Sequence, residues 1–389
     1  MKVFISNVLF ILVLFPYVSF YPIGTDIQPL IGVWSVFILF YLGFKNQLVA
    51  TKIDLFFVCI AFVSILSVGF EFNYEFRKTI GILFAFCIYL SVKNVKDFFS
   101  FKVFYFSVWI YFFGAIAQIF FNSVFNTLMV YFVRAVKTDM GNRGVTVFTT
   151  EPSFLAWMAI FFIFILIYFR SHTNYVVSRF QFNTIMCLSV FLIIASKSGT
   201  GVLFGFGLLG LYGFLALKLM HKTILTCILV GGFLLILNTD VYLGRGVELL
   251  KIIILTPGLI LYDTSAAVRF SQFYIGVLSM IDTPLGTGSG SFTNTAINLY
   301  NEYNVDKIIP VSSHERVEEE LRSAVSAFAK YTIEIGFIFL VFIFTMVLNS
   351  SFNIFIFLYV LFSLIFSFPI VFPPVWFLFA LHHRRVKIC

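Results

Sequence analysis

The chain has 389 residues, of which 60% are hydrophobic, 20% aromatic and 11% charged, with a mean hydropathy of +1.01. A water-soluble domain carries about 25% charged residues, so this composition excludes a soluble enzyme, a nucleic-acid binder and a single-pass receptor and describes a polytopic membrane protein. The net charge of +8 does not point to nucleic acid, because in such a chain the sidedness of the cations carries the meaning.

At about 20 apolar residues per span, the hydrophobic runs mark out the helices in order. They are Val3 to Phe20, Leu30 to Phe44, Ile53 to Phe70, Thr79 to Val92 and Phe101 to Phe121, then Phe154 to Phe169, Phe182 to Ala195, Val202 to Leu219 and Thr223 to Leu237. After a long polar stretch come Ile333 to Leu348 and Phe352 to Ala380. The last run is too long for one ordinary span and is interrupted by Pro369, Pro373 and Pro374, so it reads as two short helices. The expectation is an all-α protein of about 12 transmembrane helices, organised as one domain over residues 1–389. The N-terminal run has no small-residue cleavage site and reads as a retained first helix.

Lys and Arg in the short loops set the orientation. One side collects Lys2, Lys45, Lys52, Lys93, Lys96, Lys102, Arg170, Arg179, Lys218, Lys222, Arg384, Arg385 and Lys387, with only Asp54 and Asp97 against them. That side is expected to be cytoplasmic and to hold both termini. Two longer segments then face outward, residues 122–151 between the fifth and sixth spans and residues 238–332 between the ninth and tenth.

The five cysteines, Cys59, Cys87, Cys187, Cys227 and Cys389, sit in or beside apolar runs without a CxxC or Cys/His cluster. Neither a disulfide framework nor a zinc site is indicated. With no DxD pair, no His cluster and no Walker sequence, neither a metal nor a cofactor is expected.

The outer segments nevertheless carry many cations, among them Arg143, Arg245, Arg269 and Lys197. Arg suits bidentate recognition of phosphate, although ordinary loop cations balanced by nearby acids account for any single one of them. Arg143 and Glu151 bracket the start of the sixth span in N-R-G-V-T-V-F-T-T-E-P-S-F-L-A, residues 142–156. Pro152 suits a first helical turn and Glu151 then lies at the positive end of the helix dipole. That explains the Glu-Pro pair without function, and the alternative is a base or sugar-hydroxyl ligand at the membrane surface. Lys197, in S-K-S-G-T-G (residues 196–201), either caps the seventh span or adds a cation to an anion site.

Arg269 opens an apolar run, and P-L-G-T-G-S-G-S-F follows at residues 284–292. A Gly-rich loop can cradle phosphate, but this one lacks the G-K-[ST] ending of a nucleotide site, so a flexible turn is expected. Ser312 with Glu315 reads as a capping box. Val317, Leu321, Ala324 and Phe328 then form the apolar face of an amphipathic helix, with His314 in its first turn. A surface His is usually unremarkable in role, but it is readily made a base.

The T-E-P-S-F-L-A segment with Arg143 upstream, the S-K-S-G-T-G turn, and the Arg269 helix followed by P-L-G-T-G-S-G resemble bacterial O-antigen polymerases (Wzy-type). So do the His-bearing late outer loop and the Glu334-Ile335-Gly336 opening of the next span. The resemblance implies a metal-independent GT-C-like glycosyltransferase of the bacterial inner membrane, with its active site at the periplasmic face. Its substrates would be undecaprenyl-pyrophosphate-linked oligosaccharide units, and a polysaccharide chain-length regulator would be a candidate partner alongside the membrane lipid. It also implies Arg143 and Arg269 as pyrophosphate ligands with Arg245 and Lys197 as additions, and Glu151 or His314 as the base, with both still candidates. An O-antigen ligase shares this scaffold, and from a different class a lipid-linked oligosaccharide flippase remains an alternative. Transporters usually show internal repeats and broken helices, which this sequence lacks outside its last run.

Overall fold

The structure, a computed structural model, describes residues 1–19, 27–66, 74–133, 144–171, 175–199, 201, 204–205, 207, 210, 248, 251–252, 254–322, 326–352 and 354–383. Among these every regular element is helical, with only isolated bridges at Val18–Val133 and Ser350–His383. The fold class is all-α, as expected. Arg143, Arg245 and the spans read over 202–219 and 223–237 lie outside the described residues or almost entirely so.

The described residues cluster into two compact units: Met1–Leu9, Pro29–Phe99 and Leu259–Cys389 in the first, Phe10–Gln28 and Ser100–Gly258 in the second. The sequence reads as one domain because each unit is built from separated stretches, so no Ser/Gly linker marks a boundary.

In the second unit, α5 (Phe101–Phe120) is followed directly by α6 (Asn122–Met129), then by α7 (Pro152–Ser171) and α8 (Arg179–Ala195). Both α5 and α7 pack on α8. These two are the helices, among the described residues, that are long and apolar enough to cross a membrane. α7 is apolar on every side and buried over nearly its whole length, as an all-round hydrophobic helix must be. α5 has two apolar faces. Phe104, Val108, Tyr111 and Ala115 are buried, while Phe106, Phe113 and Phe120 on the outside are 60% exposed or more. Aromatic packing fills the interior, with Tyr111 against Phe162 at 5.1 Å and Phe104 against Phe169 at 5.8 Å between ring centres.

The first unit contains most of α1 (Lys2–Leu14), together with α2 (Leu30–Phe44), α3 (Lys52–Leu66) and α4 (Tyr74–Val95). It continues with α9 (Thr264–Asp282), α10 (Phe292–Glu302), α11 (Val311–Leu321), α12 (Ala327–Ile335), α13 (Phe337–Leu348), α14 (Ile354–Phe362) and α15 (Pro373–Leu381). α2, α3 and α15 pack on α4. Phe57 lies 4.5 Å from Phe342 and 5.4 Å from Trp376, ring to ring, which joins α3, α13 and α15.

The final apolar run does divide as its prolines require. α14 passes into a π segment at Ser363–Ser367, and α15 starts at Pro373, where a missing N–H costs nothing. The tenth run divides too. α12 ends and α13 begins at Gly336, whose φ of +60° with ψ of −141° is a conformation essentially reserved for glycine. A side chain there would meet the carbonyl of Pro284.

A buried polar cluster closes one end of the first unit. Lys93 Nζ lies 2.6 Å from Asp54 Oδ2, and both side chains are nearly inaccessible. Asp54 also accepts from the backbone N–H of Thr51 and from its hydroxyl, capping the start of α3. Lys96 Nζ donates to the carbonyls of Ala380 and Leu381 at 3.1 and 2.9 Å, placing a cation at the negative end of α15. Tyr89 Oη and His383 Nδ1 are 2.9 Å apart. These partners come from three distant parts of the chain and fasten α15 to α3 and α4.

Candidate functional site

Residues 144–151, which lead into α7, form a turn in the second unit. α7 starts at Pro152, and Glu151 takes the cap position, its carbonyl accepting the N–H groups of Phe154 and Leu155. The Glu151 carboxylate stays partly accessible and accepts from Ser153 Oγ at 3.3 Å.

Lys197 lies at the far end of α8. Its N–H bonds back to Ile194 and its φ is +47°, the left-handed residue that ends a helix when no glycine is present. Its backbone therefore does cap α8, and its side chain is exposed. Ser196 Oγ donates to Ile193 and accepts from Ser198 N–H, and Ser198 Oγ accepts from Gly201 N–H, which fixes the turn.

Two neighbouring stretches of chain meet a third, distant one here. Gly144, the residue after Arg143, packs so tightly on the Ala195–Ser196 backbone that no side chain fits, and Val145 N–H donates to Ala195. Gly201 packs on Ala156 in the first turns of α7 in the same way. Gly144, the S-K-S turn with Gly201, and the T-E-P segment are thus neighbours at one end of the α7–α8 pair.

The residue that organises this end is one the sequence reading passed over. Gln118 of α5 is buried. Its Oε1 accepts the N–H groups of Thr146 and Val147 at 3.0 and 2.8 Å, and its Nε2 donates to Asn126 Oδ1 and Thr146 Oγ1. A lone amide in an otherwise apolar helix is the signal that points to it, since such groups are costly unless paired.

The remaining candidates belong to the first unit. Arg269 sits half-buried on α9, with Nη1 donating to Ser265 Oγ at 2.8 Å, one turn towards the start of the helix. Gln272, one turn further on, donates to Glu320 and accepts from Ser326 N–H, joining the end of α11 to the start of α12. The amphipathic helix is present, with Val317 and Leu321 buried among Val268, Ile275, Phe292 and Ile333. Each such side chain contributes about 1.5–3 kcal/mol by leaving water.

Two expectations in this unit are corrected. α11 starts at Val311 after Pro310 and has no side-chain cap, so Ser312 and Glu315 do not form a capping box. Pro310 takes the N-cap position, which leaves Ser312 and Glu315 inside the helix. The helix also ends at Leu321, with α12 taking over from Ala327. His314 is used as a clamp. Its Nε2 lies 2.8 Å from the Asp306 carbonyl and 2.9 Å from that of Ile309. Both are acceptors, so Nε2 carries the proton, and Nδ1 is the only nitrogen left for a base.

The Gly-rich loop is neither a phosphate cradle nor a flexible turn. Its N–H groups are spent internally: Gly286 on Thr283, Thr287 on Ile333, Gly288 on the Glu334 carbonyl, Gly290 on Glu334 Oε1 and Ser291 on Gly288. Pro284 in turn accepts the N–H of Phe337. Glu334 is buried, with Lys330 Nζ at 3.9 Å. The loop is knotted onto the α12–α13 break, and a carboxylate already occupies the position an anion would take.

Among the described residues no group of three His, Cys, Asp or Glu side chains is placed to hold a metal ion. No family model, curated protein or solved structure matches the chain.

Proposed function

We propose that the chain is an O-antigen polymerase, a multi-span glycosyltransferase of the bacterial inner membrane that joins undecaprenyl-pyrophosphate-linked oligosaccharide units at the periplasmic face. One observation carries this reading above the others. Of the segments on which the resemblance rests in the second unit, Gly144, the Ser196–Ser198 turn with Gly201, and Glu151–Ala156 are neighbours through Gly144 and Gly201. A lysine-bearing turn and a partly accessible carboxylate therefore belong to one end of an apolar helix pair. The outward aromatic face of α5 supports a hydrocarbon surround, because such a face is unfavourable in water. About 12 spans, with both termini cytoplasmic, follow from the hydropathy and charge pattern.

In this reading a hydroxyl of the incoming unit attacks the anomeric carbon of the growing chain. The new glycosidic C–O bond forms as the bond to the pyrophosphate oxygen breaks, and undecaprenyl pyrophosphate leaves with the electron pair. The hydroxyl proton passes to the base. Pyrophosphate is a good leaving group once its charge is met; Lys197 is the described candidate cation in the same unit as Glu151, and the resemblance names Arg143, Arg245 and Arg269 as further candidates. Glu151 is the preferred base, because among the described residues its carboxylate accepts one long bond, from Ser153, whereas His314 has Nε2 committed to two carbonyls.

The test uses the purified chain in detergent with lipid-linked repeat units extracted from cells that lack it. Wild type should build a ladder of polymer, Glu151→Gln should reduce the rate at least about 100-fold, and Lys197→Met should reduce it less. Failure of wild type to elongate the units contradicts the assignment.

A further inference from the structure

Val147 stands out in the second unit. It is a β-branched residue with φ of +52°, fully buried, and a branched side chain in the left-handed region is a genuine outlier that persists only when its surroundings impose it. What imposes it is visible. Gln118 Oε1 holds the N–H groups of Val147 and of the preceding Thr146 together. One turn earlier on α5, Gly114 leaves the space that Val147 occupies: a Cβ at Gly114 would lie 2.6 Å from Val147 Cγ1.

The constraint is passed along the chain to Glu151. Thr149 N–H donates to the Thr146 carbonyl, and Thr149 Oγ1 is shared between that carbonyl at 2.7 Å and the Glu151 carbonyl at 2.9 Å. Gln118 is itself fully engaged, with Asn126 and Thr146 Oγ1 taking its amide protons and Asn126 held by Asn122. A buried amide with every donor and acceptor used, at the root of a strained turn that ends on a carboxylate, is more than a helix needs for packing.

We propose that Gln118 is a positioning residue. It fixes the strained Thr146–Thr149 turn and so sets where Glu151 presents its carboxylate at the start of α7. This rests on the assignment of Glu151 as the base of the transfer reaction.

The test compares Gln118→Leu, Gln118→Glu and Thr149→Val in the full chain, using the same extracted lipid-linked units. Leu keeps the volume of Gln and removes the acceptor. Glu keeps the acceptor for both N–H groups, and Asn126 and Thr146 can reverse their roles to donate to it. Val at 149 breaks the next link without changing shape. Gln118→Leu and Thr149→Val should lower kcat about 10- to 100-fold with KM within about twofold, and Gln118→Glu should keep at least about a third of kcat. Amide hydrogen exchange over residues 144–151 should quicken about tenfold in Gln118→Leu while α7 and α8 keep their protection.

A role in folding alone predicts less folded protein with unchanged kcat per folded molecule, and that result overturns the proposal. Unchanged kcat in Thr149→Val overturns it even where Gln118→Leu does not fold. If wild type elongates the units and the variants match it, the positioning role alone fails. If wild type does not elongate them, the transfer assignment fails and the positioning role falls with it.

Discussion

Glu334 Oε1 accepts the N–H of Gly290 at 3.1 Å, tying the Gly-rich loop to the end of α12. The same side chain faces Lys330 one turn back, at 3.9 Å, inside a helix whose every residue is buried. Removing one partner of a buried pair leaves the other charge uncompensated, which costs about 3–5 kcal/mol. Glu334→Ala should therefore destabilise the first unit by that order. Glu334→Gln should cost less, because it still accepts from Gly290. Thermal unfolding of both variants in detergent checks the ranking, and equal stability would show that the loop does not depend on this contact.

Gly336 allows α12 to turn into α13. Any side chain there must adopt a positive φ and meet the Pro284 carbonyl. The backbone term alone is of order 1–3 kcal/mol, so Gly336→Ala should lower the unfolding midpoint clearly, whereas Gly43→Ala, which meets no neighbouring atom, should not. A matched midpoint for the two variants would contradict the break at Gly336.

His314 donates to two backbone carbonyls, those of Asp306 and Ile309. Loss of the donor leaves polar groups poorly satisfied, at about 1–3 kcal/mol. His314→Ala should be less stable, and His314→Gln, which keeps a side-chain N–H, should recover stability and retain polymer formation. Loss of polymer formation in a stable His314→Gln protein would make His314 the base after all.

His383 lies against Tyr89 beyond the end of α15, and burial, helped by the Lys93 cation, pushes it down from 6.5 to about 4. The unfolded chain takes up a proton near pH 6.5 while the folded chain resists until about 4, so the unfolded state binds more protons in that window. The contribution of His383 is complete above about pH 6.5 and is lost as the pH falls towards 4. Unfolding midpoints measured between pH 7.5 and 5 should fall for wild type, and the fall should be shallower for His383→Gln. Parallel curves would rule out this protonation linkage.

Much of the helical plan was legible because apolar runs and prolines act locally. Leu30 to Phe44 is α2 to the residue, Phe101 to Phe121 overruns α5 by one, and the prolines of the last run divide it where they stand. The features that were not legible are set by distant partners. The helix break at Gly336 depends on Pro284, and the order of the Gly-rich loop on Glu334. The cap expected at Ser312 is absent because the helix starts two residues earlier, with Pro310 as its N-cap. At the candidate site Glu151 and Lys197 were visible as residue types in suggestive company. The role of Gln118 depends on bonds reaching 28 and 29 residues ahead, which no local pattern encodes.

The central claim is tested most directly by lipopolysaccharide banding on a gel from cells deleted for this chain and complemented with wild type, Glu151→Gln, Arg143→Ala or Arg269→Ala. An O-antigen polymerase leaves lipid A–core carrying a single repeat unit in the deletion strain, with the ladder restored by wild type and not by the variants. Core bearing no repeat unit would contradict it. Polymer then held on undecaprenyl pyrophosphate would identify a ligase, and repeat units trapped on the cytoplasmic leaflet a flippase.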